Sequence, residues 1–240
     1  MTIPDVLEIT DPIYPEAIKV YWNWLLGPEE GLDEHVRTVN GTKIFLTHGY
    51  HGYTYVFGIH EETGRRNLHS STKGGLPHIS KFSIDRKSVS DFQLILIPVL
   101  DTMVYTQAKG ASGQPLSIDE INTILAYEND HVLETDISVT VQEKKQGKWG
   151  PSRPIVPNLF VYRVSSPADP NKKFELNVPK KSFHADKMEF PITADRTLNA
   201  RAEGYYLLVK KPSQTGTYRI FSRGHGLRNY HSLIEVNIEI

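Results

Sequence analysis

The sequence predicts a mainly β fold, an antiparallel β-sandwich of jelly-roll or immunoglobulin-like type with about two helices. Three observations carry that prediction. Segments rich in β-branched and aromatic residues far outnumber helix-periodic ones, and most connections between them are short. Alternation is clean in one of them, where Ile137, Val139 and Val141 interleave with Ser138, Thr140 and Gln142. A 240-residue chain of this class reads as one domain, residues 1–240, large enough to bury a core without a staple.

Two segments have helical character. Pro15 to Leu26 sets Ile18, Tyr21, Trp22 and Leu25 on one stripe, with Pro15 suited to a first turn and Gly27-Pro28 to a stop. That stripe is expected to pack against a sheet. Ser117-Ile118-Asp119-Glu120 is a capping box, and Ile121, Ile124 and Leu125 follow it on one side.

The remainder reads as strands. His35–Val39 and Thr42–Thr47 flank Asn40-Gly41, the pair that a type I′ hairpin turn requires. Tyr53–His60, Ile79–Ile84, Phe92–Leu100, Leu159–Val164, Phe174–Val178 and Met188–Ile192 follow. Tyr205–Lys210 and Thr217–Phe221 read as a hairpin turned by Pro212–Gly216, and Ile234–Ile240 as a closing strand. Lys144–Pro157 and Ser222–His231 read as long loops.

Composition narrows the function classes. With 27 basic and 28 acidic residues the chain has no long-range field for a polyanion, so nucleic acid is an unlikely partner. The absence of cysteine excludes disulfides, Fe–S clusters and thiolate zinc sites. The longest apolar run, Leu94–Leu100, contains Pro98 and is too short to span a bilayer, so no membrane insertion is expected. Met1–Asp5 carries no basic or apolar leader signature, which predicts a cytoplasmic protein; the alternative is an exported one whose leader is absent.

Ten histidines supply the candidate site. His48 and His51 follow a predicted strand, while His225 and His231 lie in Ser222–His231 together with Arg223, Arg228 and Tyr230. If the two loops share one end of a sandwich, His48, His51, His225 and His231 could hold a divalent transition metal such as Zn, Cu or Fe. Loop histidines are more often simply solvated or bonded to backbone. Tyr50 and Tyr53, with Arg223, Arg228 and Tyr230, are the candidate ligand-binding residues, since phenol and guanidinium groups supply donors around a small molecule, glycan or protein partner. Asp101 and Glu203 each fall at a strand end and could form an acid–base pair only if the fold brings them together. No nucleophile elbow, P-loop or zincin motif is present.

Several patches resemble an uncharacterised family of β-rich microbial proteins, many of them exported. They are Trp22-Asn23-Trp24, Phe45–Gly52, Leu96–Asp101, Glu203–Val209 and Gly216–Phe221 with the closing strand. The resemblance implies a β-rich fold and no particular activity. The chain departs from that family in having no cysteine before its central apolar strand, and a histidine-bearing loop in place of a glycine pair. The leading expectation is a non-catalytic binding or interaction protein. The alternatives are a metal-dependent enzyme using the histidines and a structural subunit of an assembly.

Overall fold

Asp11 starts the first helix by accepting the amide of Ile13 at 3.0 Å, and α1 runs Ile13–Leu25. The structure, a computed structural model, describes residues 3–28, 31–49, 79–105, 114–180, 195–226 and 231–240. The predicted strands Tyr53–His60 and Met188–Ile192 lie outside the described residues. A second helix, α2 (Ile118–Asp130), begins at the expected capping box: the Ser117 hydroxyl accepts the Glu120 amide, and the Glu120 carboxylate accepts the Ser117 amide. No described helix is long and apolar enough to cross a membrane.

Twelve strands are described, in two six-stranded sheets. The first contains β1 (Val36–Val39), β2 (Thr42–Leu46), β4 (Leu94–Tyr105), β8 (Arg163–Ser166), β9 (Phe174–Val178) and β10 (Arg196–Lys210), ordered β1-β2-β4-β10-β8, with β9 also on β10. The second contains β3 (Ser80–Ile84), β5 (Ile137–Lys145), β6 (Lys148–Trp149), β7 (Arg153–Pro154), β11 (Thr217–His225) and β12 (His231–Glu239), ordered β3-β12-β11-β5-β6, with β7 on β5. Among the described residues the fold is mainly β with two α-helices, as the sequence predicts. The expectation of purely antiparallel sheets is corrected: both sheets are mixed, because β2 runs parallel to β4 and β3 parallel to β12.

Three layers result. Helices α1 and α2 cover one face of the first sheet, and the whole predicted stripe Ile18, Tyr21, Trp22 and Leu25 is buried there with Leu96, Tyr206 and Leu208. The other face packs on the second sheet, joining Ile95, Ile97, Leu207 and Val209 to Val139, Val141, Ile220 and Val236. Strands β4 and β10 are therefore covered on both sides, which explains why Leu94–Val99 and Tyr205–Val209 are unbroken apolar runs.

Three further readings of the sequence are corrected. The predicted hairpin Tyr205–Lys210/Thr217–Phe221 does not form: β10 and β11 belong to different sheets, and Pro212–Gly216 crosses between them. The cause is saturation of β10, whose one edge is taken by β4 and whose other is tiled by β9, β8 and the bridge from Val6 to Val209. Lys144–Pro157 is not one loop but the β5–β6 hairpin followed by β7, turned by Gln146 and Gly147 at positive φ (50° and 79°). Ser222–His231 is not a loop throughout, since β11 continues to His225 and β12 starts at His231. The Asn40-Gly41 turn is present, at φ 49° and 80°.

Candidate functional site

Strand β4 carries a bulge that organises the candidate site. Tyr205 pairs with Leu100 and Tyr206 with Pro98, leaving Val99 as an extra residue. Before the bulge, Leu94 and Leu96 face the helices while Ile95, Ile97 and Val99 face the second sheet. The extra residue resets this alternation, so Asp101 turns to the helix side instead of following Val99 between the sheets. Gly204 lies opposite Asp101, and a Cβ there would stand 2.4 Å from the Leu100 carbonyl oxygen.

Two strands of the second sheet meet the bulge, and the exit of β2 packs on one of them. Gly224 crosses the Val99 carbonyl so closely that a Cβ would lie 2.0 Å from its oxygen, an approach open only to glycine. Ser232, opposite Gly224 in the β11–β12 ladder, is buried with its hydroxyl 3.5 Å from the Pro98 carbonyl. Gly49, just past β2, packs on Ser232 and Ile234. His48, His225 and His231 each adjoin one of these residues in the chain, so the backbone of all three gathers at one junction.

The side chains do not follow the backbone into a cluster. The His48 ring packs on Trp24 (5.7 Å) and Phe82 (5.4 Å). His225 turns toward Asp136, its Nδ1 3.8 Å from Oδ1, on the β11 face opposite the core-facing Tyr218 and Ile220. Arg223 shares that outward register and is exposed. His231 pairs with His225 across the ladder. His51, Tyr50, Tyr53, Arg228 and Tyr230 lie outside the described residues. Among the described residues no group of three or more histidine and carboxylate side chains is placed to hold a metal ion.

The two candidate acids are engaged separately. The Asp101 carboxyl accepts the phenols of Tyr206 (3.3 Å to Oδ2) and Tyr21 under α1, and burial pushes its pKa up to about 7 against those hydrogen bonds. Glu203 shares the strand face of Tyr205, on the other side of the sheet. It accepts Arg163 Nε at 2.6 Å and the Ser165 hydroxyl at 3.0 Å, while Arg163 Nη1 reaches Asp130 at the end of α2 at 2.5 Å. They are not an acid–base pair.

Sequence reasoning missed two residues. His35 stacks on Phe45 (5.0 Å), meets Trp24 and Phe82 edge-on, and places Nδ1 3.1 Å from the Leu46 carbonyl. Burial lowers its pKa, outweighing that hydrogen bond, so the ring is held neutral. Its place at a hairpin start gave no hint of this enclosure. Ser222, 1% exposed and two residues before Gly224, has a hydroxyl with no hydrogen-bond partner among the described residues. A serine opening a predicted loop carries no sequence signal of burial.

Trp24 also lines a groove of about 1030 Å³ along the outer side of α1, with Lys19, Arg37, Lys172, Phe174 and Glu175. Its indole N–H donates to Gly31 O at 3.1 Å. No family model, curated protein or solved structure matches the chain.

Proposed function

We propose that the protein is a non-catalytic binding protein whose ligand or partner engages the junction where the exit of β2, the β4 bulge and the β11–β12 end meet. The observation that supports this most strongly is the packing of Gly49 on Ser232, which draws the backbone of His48, His225 and His231 to one end of the sheets. The junction offers an aromatic wall (Trp24, His48, Phe82) on one side and an outward guanidinium and imidazole (Arg223, His225) on the other. The buried hydroxyl of Ser222 adds a donor suited to a polar guest. Asp101 and Glu203 are tied into internal networks, which favours binding over acid–base chemistry.

The test is a titration of the ¹⁵N-labelled full chain with small polar fragments and neutral oligosaccharides, read residue by residue. Shifts concentrated at His48–Gly49, Arg223–His225 and Ser232 are expected. Shifts confined to the groove beside α1 would overturn the placement. A parallel titration with zinc chloride that saturates at one equivalent and moves His48 and His225 together would favour a metal-dependent enzyme instead.

A further inference from the structure

The contact between α1 and the first sheet encloses the carboxyl of Asp101. Asp101 reaches it because the β4 bulge re-aims the strand, and Gly204 leaves room for the carboxyl side of that strand to approach β10. Although the residue is only half-buried as a whole, its carboxyl sits among aromatic side chains that are almost fully buried: Tyr21 at 3%, Trp22 at 9% and Tyr206 at 0% exposure. The network is continuous from helix to strand, because the Trp22 indole N–H donates to the Tyr206 phenol oxygen (3.3 Å) and that phenol donates to Asp101. Among the described residues, the titratable groups facing the carboxyl are Tyr21 from α1 and Tyr206 from β10, and none of the causes that shift its titration is a charged side chain. A neutral carboxyl is accommodated in such a site, whereas an ionised one is a buried charge supported by phenols alone.

We propose that Asp101 is a protonation latch on α1: the helix is held firmly to the first sheet while the carboxyl is neutral and is loosened when it ionises. The consequence reaches beyond the junction, because α1 also presents Trp24 to the ring of His48 and to the outer groove. Loosening of α1 therefore acts on the aromatic wall without any change in the histidines themselves.

The sign follows from linkage. The folded carboxyl titrates near 7 and an unfolded or undocked one near its ordinary value of 3.8. The stabilisation is complete below the lower value and is lost as pH rises through the higher one. Between pH 6 and pH 8 the opening equilibrium of α1 should increase about tenfold and then level off.

Hydrogen exchange of the α1 amides, corrected for the intrinsic base catalysis of exchange, reads that change on the full chain. Wild type should lose about tenfold in protection from pH 6 to pH 8, and Asp101→Asn should show a flat profile. The carboxyl carbon of Asp101, followed by NMR in wild type, should titrate near neutrality, which keeps the test independent of whether the variant folds. A carboxyl titrating near 4, or an α1 profile that is flat in wild type, would overturn the latch.

Discussion

The phenol of Tyr206 joins Trp22 to Asp101, accepting the indole N–H at 3.3 Å and donating to the carboxyl at 3.3 Å. One side chain of the central strand β10 thus fixes both the helix above it and the strand beside it. Trp22→Ala should cost roughly 3–5 kcal/mol, most of it lost packing. Trp22→Phe, which keeps much of the ring volume and loses the N–H, should cost roughly 1–2 kcal/mol beyond the volume difference. Chemical denaturation of both variants checks this; equal stability of Trp22→Ala and wild type would show that the helix is not anchored here.

Asn23, next in the chain, does a different task. Its amide donates to Glu175 O (3.0 Å) and accepts from the Asn177 amide (2.9 Å), pairing with the edge of β9 that no other described strand occupies, as a neighbouring strand would. Asn23→Ala should lose roughly 1–3 kcal/mol and leave an edge open to pairing with other chains. Denaturation midpoints and sedimentation at rising concentration measure the two effects. A variant that is as stable and as monodisperse as wild type would exclude the edge-capping role.

The glycines at the bulge are predicted to be unforgiving. Alanine at 224 or 204 places a methyl against backbone, at 2.0 Å from Val99 O and 2.4 Å from Leu100 O, so neither clash is relieved by turning a side chain. Each should destabilise by at least the roughly 1–3 kcal/mol of ordinary overpacking, with Gly224→Ala the worse of the two. Calorimetric melting of both proteins tests the order. A Gly224→Ala protein melting at the wild-type temperature would mean that the sheets do not meet at the bulge.

Local chemistry was readable in the sequence, and long-range pairing was not. The Asn40-Gly41 turn, the Ser117/Glu120 capping box and the stripe Ile18, Tyr21, Trp22 and Leu25 each depend on residues a few positions apart, and each forms as expected. The proposed hairpin between Tyr205–Lys210 and Thr217–Phe221 failed because pairing partners are chosen by competition across the chain, and β4 claims the edge of β10 from about a hundred residues away. For the candidate site, Gly49 packs on Ser232 and Ser232 pairs with Gly224, which are the chain neighbours of His48, His231 and His225. Their side-chain directions were hidden, because alternation along β11 sends His225 outward while His48 is captured by Trp24 and Phe82. The strand bulge that turns Asp101 under α1 leaves no local mark except Pro98 and the distant Gly204 and Gly224.

His35 predicts the acid limb of stability. Its folded pKa lies below the ordinary value because burial disfavours the imidazolium, so the unfolded chain binds the proton more readily. The contribution is present above about pH 6.5 and is lost as pH falls through the folded value. Imidazole ¹³C shifts should place its titration below that of a model histidine. A value at or above 6.5 would mean that the ring is not enclosed by Trp24, Phe45 and Phe82.

The most direct test of the account is whether the exit of β2 packs on the β11–β12 end and that end meets the β4 bulge. Proton–proton NOEs from the Gly49 α-protons to the Ser232 and Ile234 side chains, and from the Gly224 α-protons to Leu100, report these approaches in the unmodified protein. Strong cross-peaks are expected in both sets. If both are absent, the exit of β2 and the β11–β12 end are not neighbours, and the binding site proposed between them does not exist.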